Sequence, residues 1–376
     1  MTLRFLHTAD LHLGAPFPSL GEQAAGRQAA FLTTFERLLT LAIKKDVHLF
    51  LVAGDLFDSP HPDPTLVARV QAGLKRLADR GIVTVLLPGT HDNLVAPDAV
   101  YRQAQFPGVL LAAPKVEEPV TVTVGGTSVH LYGFAFRSSA STGALATMAR
   151  RPTEGFHVGL LHGSRQGSPE WDYRQKDLPF TLEMLRSWNL DYVALGHYHG
   201  FEVLEEGGRA YACYPGSPEG KRFGENGPRH AALVSLTREG AQIEQVTVHS
   251  QWLETRTLDL AGCDTIEGAT AAVRALGHPD LLLRLTLTGI VEAPLDLNAL
   301  QLCARDAFYH LEFDDRTRLF DSALAARIEK EETVRGVFVR RARRLLEELP
   351  PEQRPAVEEA FREVLTRFHA FGGGGA

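Results

Sequence analysis

Residues 3–12 read LRFLHTADLH and residues 49–58 read LFLVAGDLFD. In both, a short apolar run stops abruptly at a carboxylate: 3–8 runs into Asp10-Leu11-His12, and 47–53 runs into Gly54-Asp55. The pattern recurs downstream. Residues 82–88 run into Gly89-Thr90-His91-Asp92, 156–161 end at His162-Gly163, and 192–195 end at Gly196-His197-Tyr198-His199. Short continuous apolar runs of this kind read as strands buried on both faces. Between them, 22–45 and 64–80 carry apolar residues near helical spacing, the second with Pro64 at its start. Strand–helix–strand alternation predicts a layered α/β domain, where ligands gather at the carboxyl ends of the strands. Titratable clusters sit at five of those ends.

Further along, 209–250 alternates strands with the glycine-rich turns EEGG and ENGP, the edge of the same domain. A second unit begins near Trp252: strand-like 255–260, helix-like 265–276, strand-like 281–288, helix-like 296–304 and strand-like 309–313. Residues 321–348 and 352–370 read as two helices parted by Pro350-Pro351. The expected organisation is therefore a catalytic domain over 1–250, a small α/β capping domain over 251–320, a helical partner-binding segment over 321–370 and a flexible tail over 371–376.

The chain has 376 residues, and at roughly 100–200 residues per domain that suits two or three domains. Its 44% apolar and 23% charged residues exclude a disordered or fibrous protein. The longest apolar stretches, 47–54 and 81–88, fall far short of the about 20 residues that a membrane-spanning helix needs. Arg4, His7 and Asp10 interrupt the stretch where a signal peptide keeps an apolar core. Cys213, Cys263 and Cys303 form no CxxC pair, and an odd number cannot close a disulfide framework. The expectation is a reduced, cytoplasmic protein with no membrane partner. A net charge of −7 gives no general electrostatic grip on nucleic acid, although two bound divalent cations would bring it to about −3.

Asp10 and His12 are two residues apart, as are His197 and His199; on an extended segment such pairs face one way and can grip one ion together. Gly54 lets the chain turn tightly before Asp55. Mixed oxygen and imidazole donors suit Mn, Fe, Zn or Ni better than Ca or Mg. Six candidate ligands, Asp10, His12, Asp55, His162, His197 and His199, are too many for one tetrahedral ion with an open position. They are about right for two ions sharing a carboxylate. Two metals about 3.5–4 Å apart stabilise the attacking and the leaving oxygen of an in-line phosphoryl displacement.

The ordered set DLH, GDLFD, G-T-HD, LHG and GHYH, spanning residues 10–199, resembles the calcineurin-like metallophosphoesterase family. HTADLHLG and GDLFDSPHPDP look more closely like its DNA-repair nuclease branch, the SbcD and Mre11 nucleases. The resemblance implies a four-layer α/β sandwich followed by a small α/β cap and helices that bind an SMC-like ATPase. Asp10, His12, Asp55 and His199 would form the first metal site, with Asp55 bridging to a second completed by His162 and His197. His91 would face the scissile phosphate and Asp92 would orient it. Water activated by the ions, most readily Mn²⁺, would be the nucleophile. The partners implied are DNA, the ATPase and a second copy of the chain. Where the family motif reads G-N-H-D, with Asn on the second metal, position 90 here is Thr. Asp58 stands where some nucleases of this branch carry a His that handles the DNA end.

Other residues have two readings. Asp58 and Asp63 are ligands or, more simply, helix or turn caps. In YPGSPEGKRF, Tyr214, Ser217, Lys221 and Arg222 either touch substrate phosphates or belong to a plain turn; the GxxxxGK[ST] spacing of a nucleotide loop is absent. Arg165, Arg174 and Lys176 line a DNA path or merely solvate a loop. Arg340, Arg341, Arg343 and Arg344 mark a partner-binding helix or a charged face paired with its own Glu residues. His7, His48, His61, His130 and His157 are structural or exposed, and Trp171, Trp188 and Trp252 are packing residues. No GxSxG, HExxH or GxGxxG occurs. The reading is a two-metal phosphodiesterase cleaving DNA. Its alternatives are a small-molecule phosphoesterase of the same fold and a weakly active DNA- or ATPase-binding scaffold.

A threonine hydroxyl is neutral and shorter than an asparagine amide, so the second site should bind weakly and activity should need high metal concentration. In a metal titration, Thr90→Asn is expected to tighten the second step and lower the metal needed for turnover. Equal affinity and rate in both proteins would refute the role given to position 90.

Overall fold

The five apolar runs are strands of one sheet. β1 (Leu3–Thr8), β2 (Leu49–Ala53), β3 (Val83–Leu87) and β4 (Val109–Leu110) run parallel to one another. α1 (Ala24–Lys44) and α2 (Pro64–Ala78) make the crossovers that parallel strands require. Asp63 is the N-cap of α2, its carboxylate accepting from Thr65 N at 2.8 Å, with Pro64 in the first turn. The computed structural model describes residues 1–135, 139–171, 177–263, 265–291, 295–319, 322–351 and 353–372. They divide into two units, Met1–Trp252 and Leu253–Ala376.

In the first unit, β5 (Val120–Val124) and β6 (Thr127–Tyr132) form a hairpin turned by Gly125 and Gly126, with φ of 54° and 78°. β7 (Phe156–His162) and β8 (Tyr192–Gly196) continue parallel from β6. β9 (Glu202–Glu206), β10 (Arg209–Tyr214), β11 (His230–Thr237) and β12 (Gly240–Thr247) make up the stretch with the glycine-rich turns. The strand order is β4-β3-β2-β1-β11-β12-β10-β8-β7-β6-β5, with β9 on β10. Short helices α3 (Val100–Gln103) and α4 (Leu182–Ser187) complete the unit.

This large curled sheet packs its two halves around one core. Leu3, Phe5, Leu49, Leu51 and Val85 meet Leu131, Val158, Tyr192 and Ala194, alternate residues along their strands and all buried. His7, next in the β1 alternation, reaches across to β8: its Nδ1 lies 3.0 Å from the Tyr192 hydroxyl and its Nε2 3.2 Å from the Leu195 carbonyl oxygen. The sheet thereby brings the carboxyl ends of β1, β2 and β3 opposite those of β7 and β8.

The second unit holds a three-stranded sheet of β13 (Trp252–Asp259), β14 (His278–Thr288) and β16 (Phe308–Asp315), and a two-stranded one of β15 (Ile290–Val291) and β17 (Arg318–Leu319). α5 (Ile266–Arg274) and α6 (Leu297–Ala304) lie between these strands in the chain. Residues 322–372 form three helices instead of two: α7 (Ser322–Glu329), α8 (Val334–Glu348) and α9 (Arg354–Gly372). The added break is a capped start. Thr333 Oγ1 accepts from Gly336 N at 3.3 Å, and Arg340 Nη1 donates to the Glu329 and Glu331 carbonyl oxygens at 2.6 and 2.9 Å. Among the described residues no helix is long and apolar enough to cross a membrane.

Arg27 on α1 is 1% exposed, an expensive place for a guanidinium. Its Nη1 lies 2.8 Å from Glu219 Oε2 and 2.9 Å from Gln251 Oε1, and its guanidinium sits 5.0 Å from the centre of the Phe31 ring. Glu219 Oε1 in turn accepts from Thr34 Oγ1 and Ser250 N, both at 2.6 Å. Removing one partner of such a buried pair typically costs about 3–5 kcal/mol. Glu219→Ala should therefore lower the unfolding free energy by about that much in a denaturant titration. A loss below about 1 kcal/mol, the range of exposed pairs, would show that the pair is hydrated.

Candidate metal centre

The strand ends converge through backbone that L residues rarely adopt. Among the described residues seven non-glycine positions have positive φ, and four are Asp10 (54°), His12 (46°), Asp55 (52°) and His197 (102°). Asp10 and His12 therefore do not share a site by strand alternation, as their spacing suggests. Both lie past the end of β1 in left-handed conformations, fixed by Asp10 N donating to Gly54 O at 3.1 Å and His12 N to Asp55 O at 3.0 Å. Gly54 is required twice over. Its φ is +96°, and a Cβ there would fall 2.1 Å from His162 Nδ1.

Three groups of donors form among the described residues. Asp10, His12 and His199 bring ligand atoms within 4.8 Å of one another, and so do Asp10, Asp55 and His162, and, nearer the surface, His12, Asp58 and His91. His12 Nε2 lies 3.3 Å from His199 Nε2, and His162 Nε2 lies 3.4 Å from Asp55 Oδ2. Asp10 is common to the first two groups, and Asp55 Oδ2 also lies 3.9 Å from His12 Nε2 of the first. His197 belongs to none of these triplets, but its ring centre is 5.3 Å from that of His162, and its amide donates to both oxygens of Asp10 at 3.1 and 2.9 Å. Thr90 Oγ1 is 3.4 Å from Asp55 Oδ2 and 3.5 Å from His162 Nε2, at the second group. His91 donates its amide to Asp55 Oδ1 at 2.8 Å and keeps its ring half-exposed at the lip.

The electrostatics fit divalent cations. Burial lifts the Asp10 pKa to about 6 against the pull of His162 and His199. Burial also opposes ionisation of Asp55, yet His162 holds it well below the carboxylate range. In return Asp55 overcomes the burial of His162 and raises it to about 10. Burial drives His12 down to about 4 and His197 to about 3, leaving neutral rings with lone pairs to give. Two buried carboxylates ringed by imidazoles form a donor set in which cations would displace the His162 proton and balance the charge.

Several expectations change here. Asp92 does not orient the His91 ring. It is fully buried and accepts from Gly89 N at 2.7 Å, Phe57 N at 3.1 Å and Tyr101 Oη at 2.7 Å, bracing the turn that carries His91. The carboxylate beside the ring is Asp58, which is no helix cap: its Oδ1 is 3.4 Å from His91 Nδ1 and 3.0 Å from His12 Nδ1, and Lys221 Nζ bonds the same oxygen. Tyr214 and Ser217 are 0% exposed, and Tyr214 Oη donates to Gly163 O at 2.8 Å, so neither reaches a substrate. Lys221 lies at the site with Nζ 3.5 Å from His12 Nδ1, and Arg222 is exposed. Arg165 is buried against Glu202, neither solvated nor lining a path, while Arg174 and Lys176 lie outside the described residues. Glu170 and Glu225, which no motif marks, both hold His199: its amide donates to Glu170 Oε2 at 3.1 Å and its Nδ1 meets Glu225 Oε1 at 2.8 Å.

Residues 3–201 match the model of the calcineurin-like phosphoesterase family. The chain is 28% identical over 312 residues to the uncharacterized metallophosphoesterase YhaO of Bacillus subtilis, covering 78% of this chain and 74% of that one. It is 27% identical over 257 residues to the DNA double-strand break repair protein Mre11 of Methanosarcina mazei, covering 65% of this chain and 38% of that protein. The counterpart from Haloferax volcanii is 28% identical over 292 residues, 76% of this chain and 61% of its own length. The matches thus span less than two thirds of either Mre11 protein. All six candidate ligands, Thr90 and His91 fall within the matched residues, and the chain belongs to the calcineurin-like phosphoesterase family of metal-dependent phosphoester hydrolases.

Proposed function

We propose that this chain is a two-metal phosphodiesterase that cleaves DNA, the nuclease subunit of a DNA-repair complex, with Mn²⁺ its preferred ion. The observation that carries this reading is a pair of donor groups that share Asp10, with Asp55 Oδ2 within 4 Å of both His162 and His12 and with His91 at the open lip. Asp10, His12, Asp55 and His199 would hold one ion, and Asp55, His162 and His197 the other, with Thr90 beside it. Such a pair supplies an activated water and neutralises charge gathering on the phosphoryl oxygens. His91, with Nδ1 turned to Asp58, offers Nε2 to the phosphate or the leaving oxygen. Lys221 and Arg222 add cations for flanking phosphates.

DNA as substrate is supported by the two relatives whose names state DNA double-strand break repair. Residues 251–320 serve as the cap and 321–370 as the ATPase-binding segment, with a second copy of the chain as a further partner. α8 supports that role by exposing Val334, Val337 and Leu345. A cytoplasmic setting accords with three free cysteines. Thr90 favours one rival, a scaffold that binds DNA or the ATPase without efficient cleavage.

The test assays linear DNA beside bis-p-nitrophenyl phosphate across metals. We expect DNA cleavage at millimolar Mn²⁺, abolished by Asp55→Ala. His91→Ala should keep metal binding but slow turnover by roughly 10²–10⁴-fold, the usual range for acid–base help. Fast ester turnover without DNA cleavage contradicts the nuclease reading, and binding without turnover at any metal concentration establishes the scaffold.

A further inference from the structure

The geometry points to Glu225 as a positioning residue that fixes the His199 ring and makes the first ion site the tighter of the two, an inference resting on the metal reading above. His199 is held at every polar group. Its Nδ1 is 2.8 Å from Glu225 Oε1, its amide donates to Glu170 Oε2 at 3.1 Å, and its carbonyl oxygen accepts from Arg229 Nη1 at 2.8 Å and Ser217 N at 3.2 Å. Glu225 is itself fixed. Its side chain is 10% exposed, Oε2 accepts from Lys221 N at 2.7 Å and lies 3.6 Å from Arg229 Nη2, and Arg222 Nε is 3.3 Å from Oε1.

With Nδ1 engaged, Nε2 is the nitrogen that His199 presents toward Nε2 of His12. The facing ring repeats the arrangement, for His12 Nδ1 meets Asp58 Oδ1 at 3.0 Å. The second site differs: His162 Nδ1 is hydrogen-bonded to the neutral Ala53 carbonyl oxygen at 3.0 Å, with the Asp10 carboxylate farther off at 4.0 Å, beyond hydrogen-bond distance. A carboxylate on the far nitrogen fixes the tautomer and makes the imidazole a stronger donor than a carbonyl partner does. Two rings with anionic partners thus serve the first site, while the second has a neutral-partnered ring and Thr90 beside it. The loop over 215–229 supports a metal ligand in addition to any contact that Lys221 and Arg222 make with substrate.

The test is calorimetric titration of the full chain with Mn²⁺, with the Co²⁺ absorption spectrum as a second readout, on wild type, Glu225→Gln and Glu225→Ala. Wild type should bind two ions in unequal steps. Glu225→Ala should weaken the tighter step by about 10–100-fold, the usual effect of losing such a partner. It should also change the Co²⁺ spectrum and leave the weaker step intact. Glu225→Gln keeps an acceptor without the charge and should lose about tenfold. Should the alanine variant fail to fold, the glutamine variant decides. Wild-type affinity in a folded variant overturns the inference, and so does equal weakening of both steps with a lowered unfolding midpoint, which marks a merely structural role. A wild type that binds no ion overturns the metal reading itself, and this inference with it.

Discussion

Asp55 is 2% exposed, and the first unit is built around keeping it ionised there. Taking one charge out of water costs several kcal/mol even after the protein relaxes. The offset comes from four directions: the His91 amide, the Thr90 hydroxyl, and the rings of His162 and His12. Those groups stem from the carboxyl ends of β1, β3 and β7, while Asp55 itself sits on the turn after β2, so no single βαβ unit supplies them. The curled sheet does, because its two halves share a core of alternating residues and place their carboxyl ends face to face. The backbone bears part of the cost in left-handed conformations at Asp10, His12, Asp55 and His197, of order 1–3 kcal/mol each.

That cost explains how the rest of the unit is braced. His7 ties β1 to β8 across the core, so that the end bearing Asp10 keeps its distance from the end bearing His197. The buried Arg27 and Glu219 join α1 to the segment just before Lys221. Asp92, its carboxylate taken up by the Gly89 and Phe57 amides and the Tyr101 hydroxyl, closes the turn after β3. Each brace uses a polar or charged group where an apolar one would pack more cheaply, and each ends within a few residues of a candidate ligand or of Lys221.

The strands and the clusters at their ends were legible because an apolar run ending in Asp or His is a local signal. The pairing of carboxylates with histidines was not. Asp92 is adjacent to His91 in sequence, but neighbouring residues project differently, and the ring turns to Asp58 on another loop. Glu225 is 26 residues from His199 and carries no local mark. Tyr214 and Ser217 read as loop residues, yet burial removes both from any ligand. The helix break before α8 depends on Thr333 as a cap, which the Pro350-Pro351 break overshadows. What sequence conceals here is which side chain turns toward which, a property of packing between distant segments.

The most direct measurement is anomalous diffraction at the manganese edge from crystals grown with ample Mn²⁺. The account predicts two peaks about 3.5–4 Å apart, one against His12 and His199 and the other against His162, with Asp55 between them. Ordered side chains with no peak among them, or peaks only elsewhere on the molecule, would contradict it.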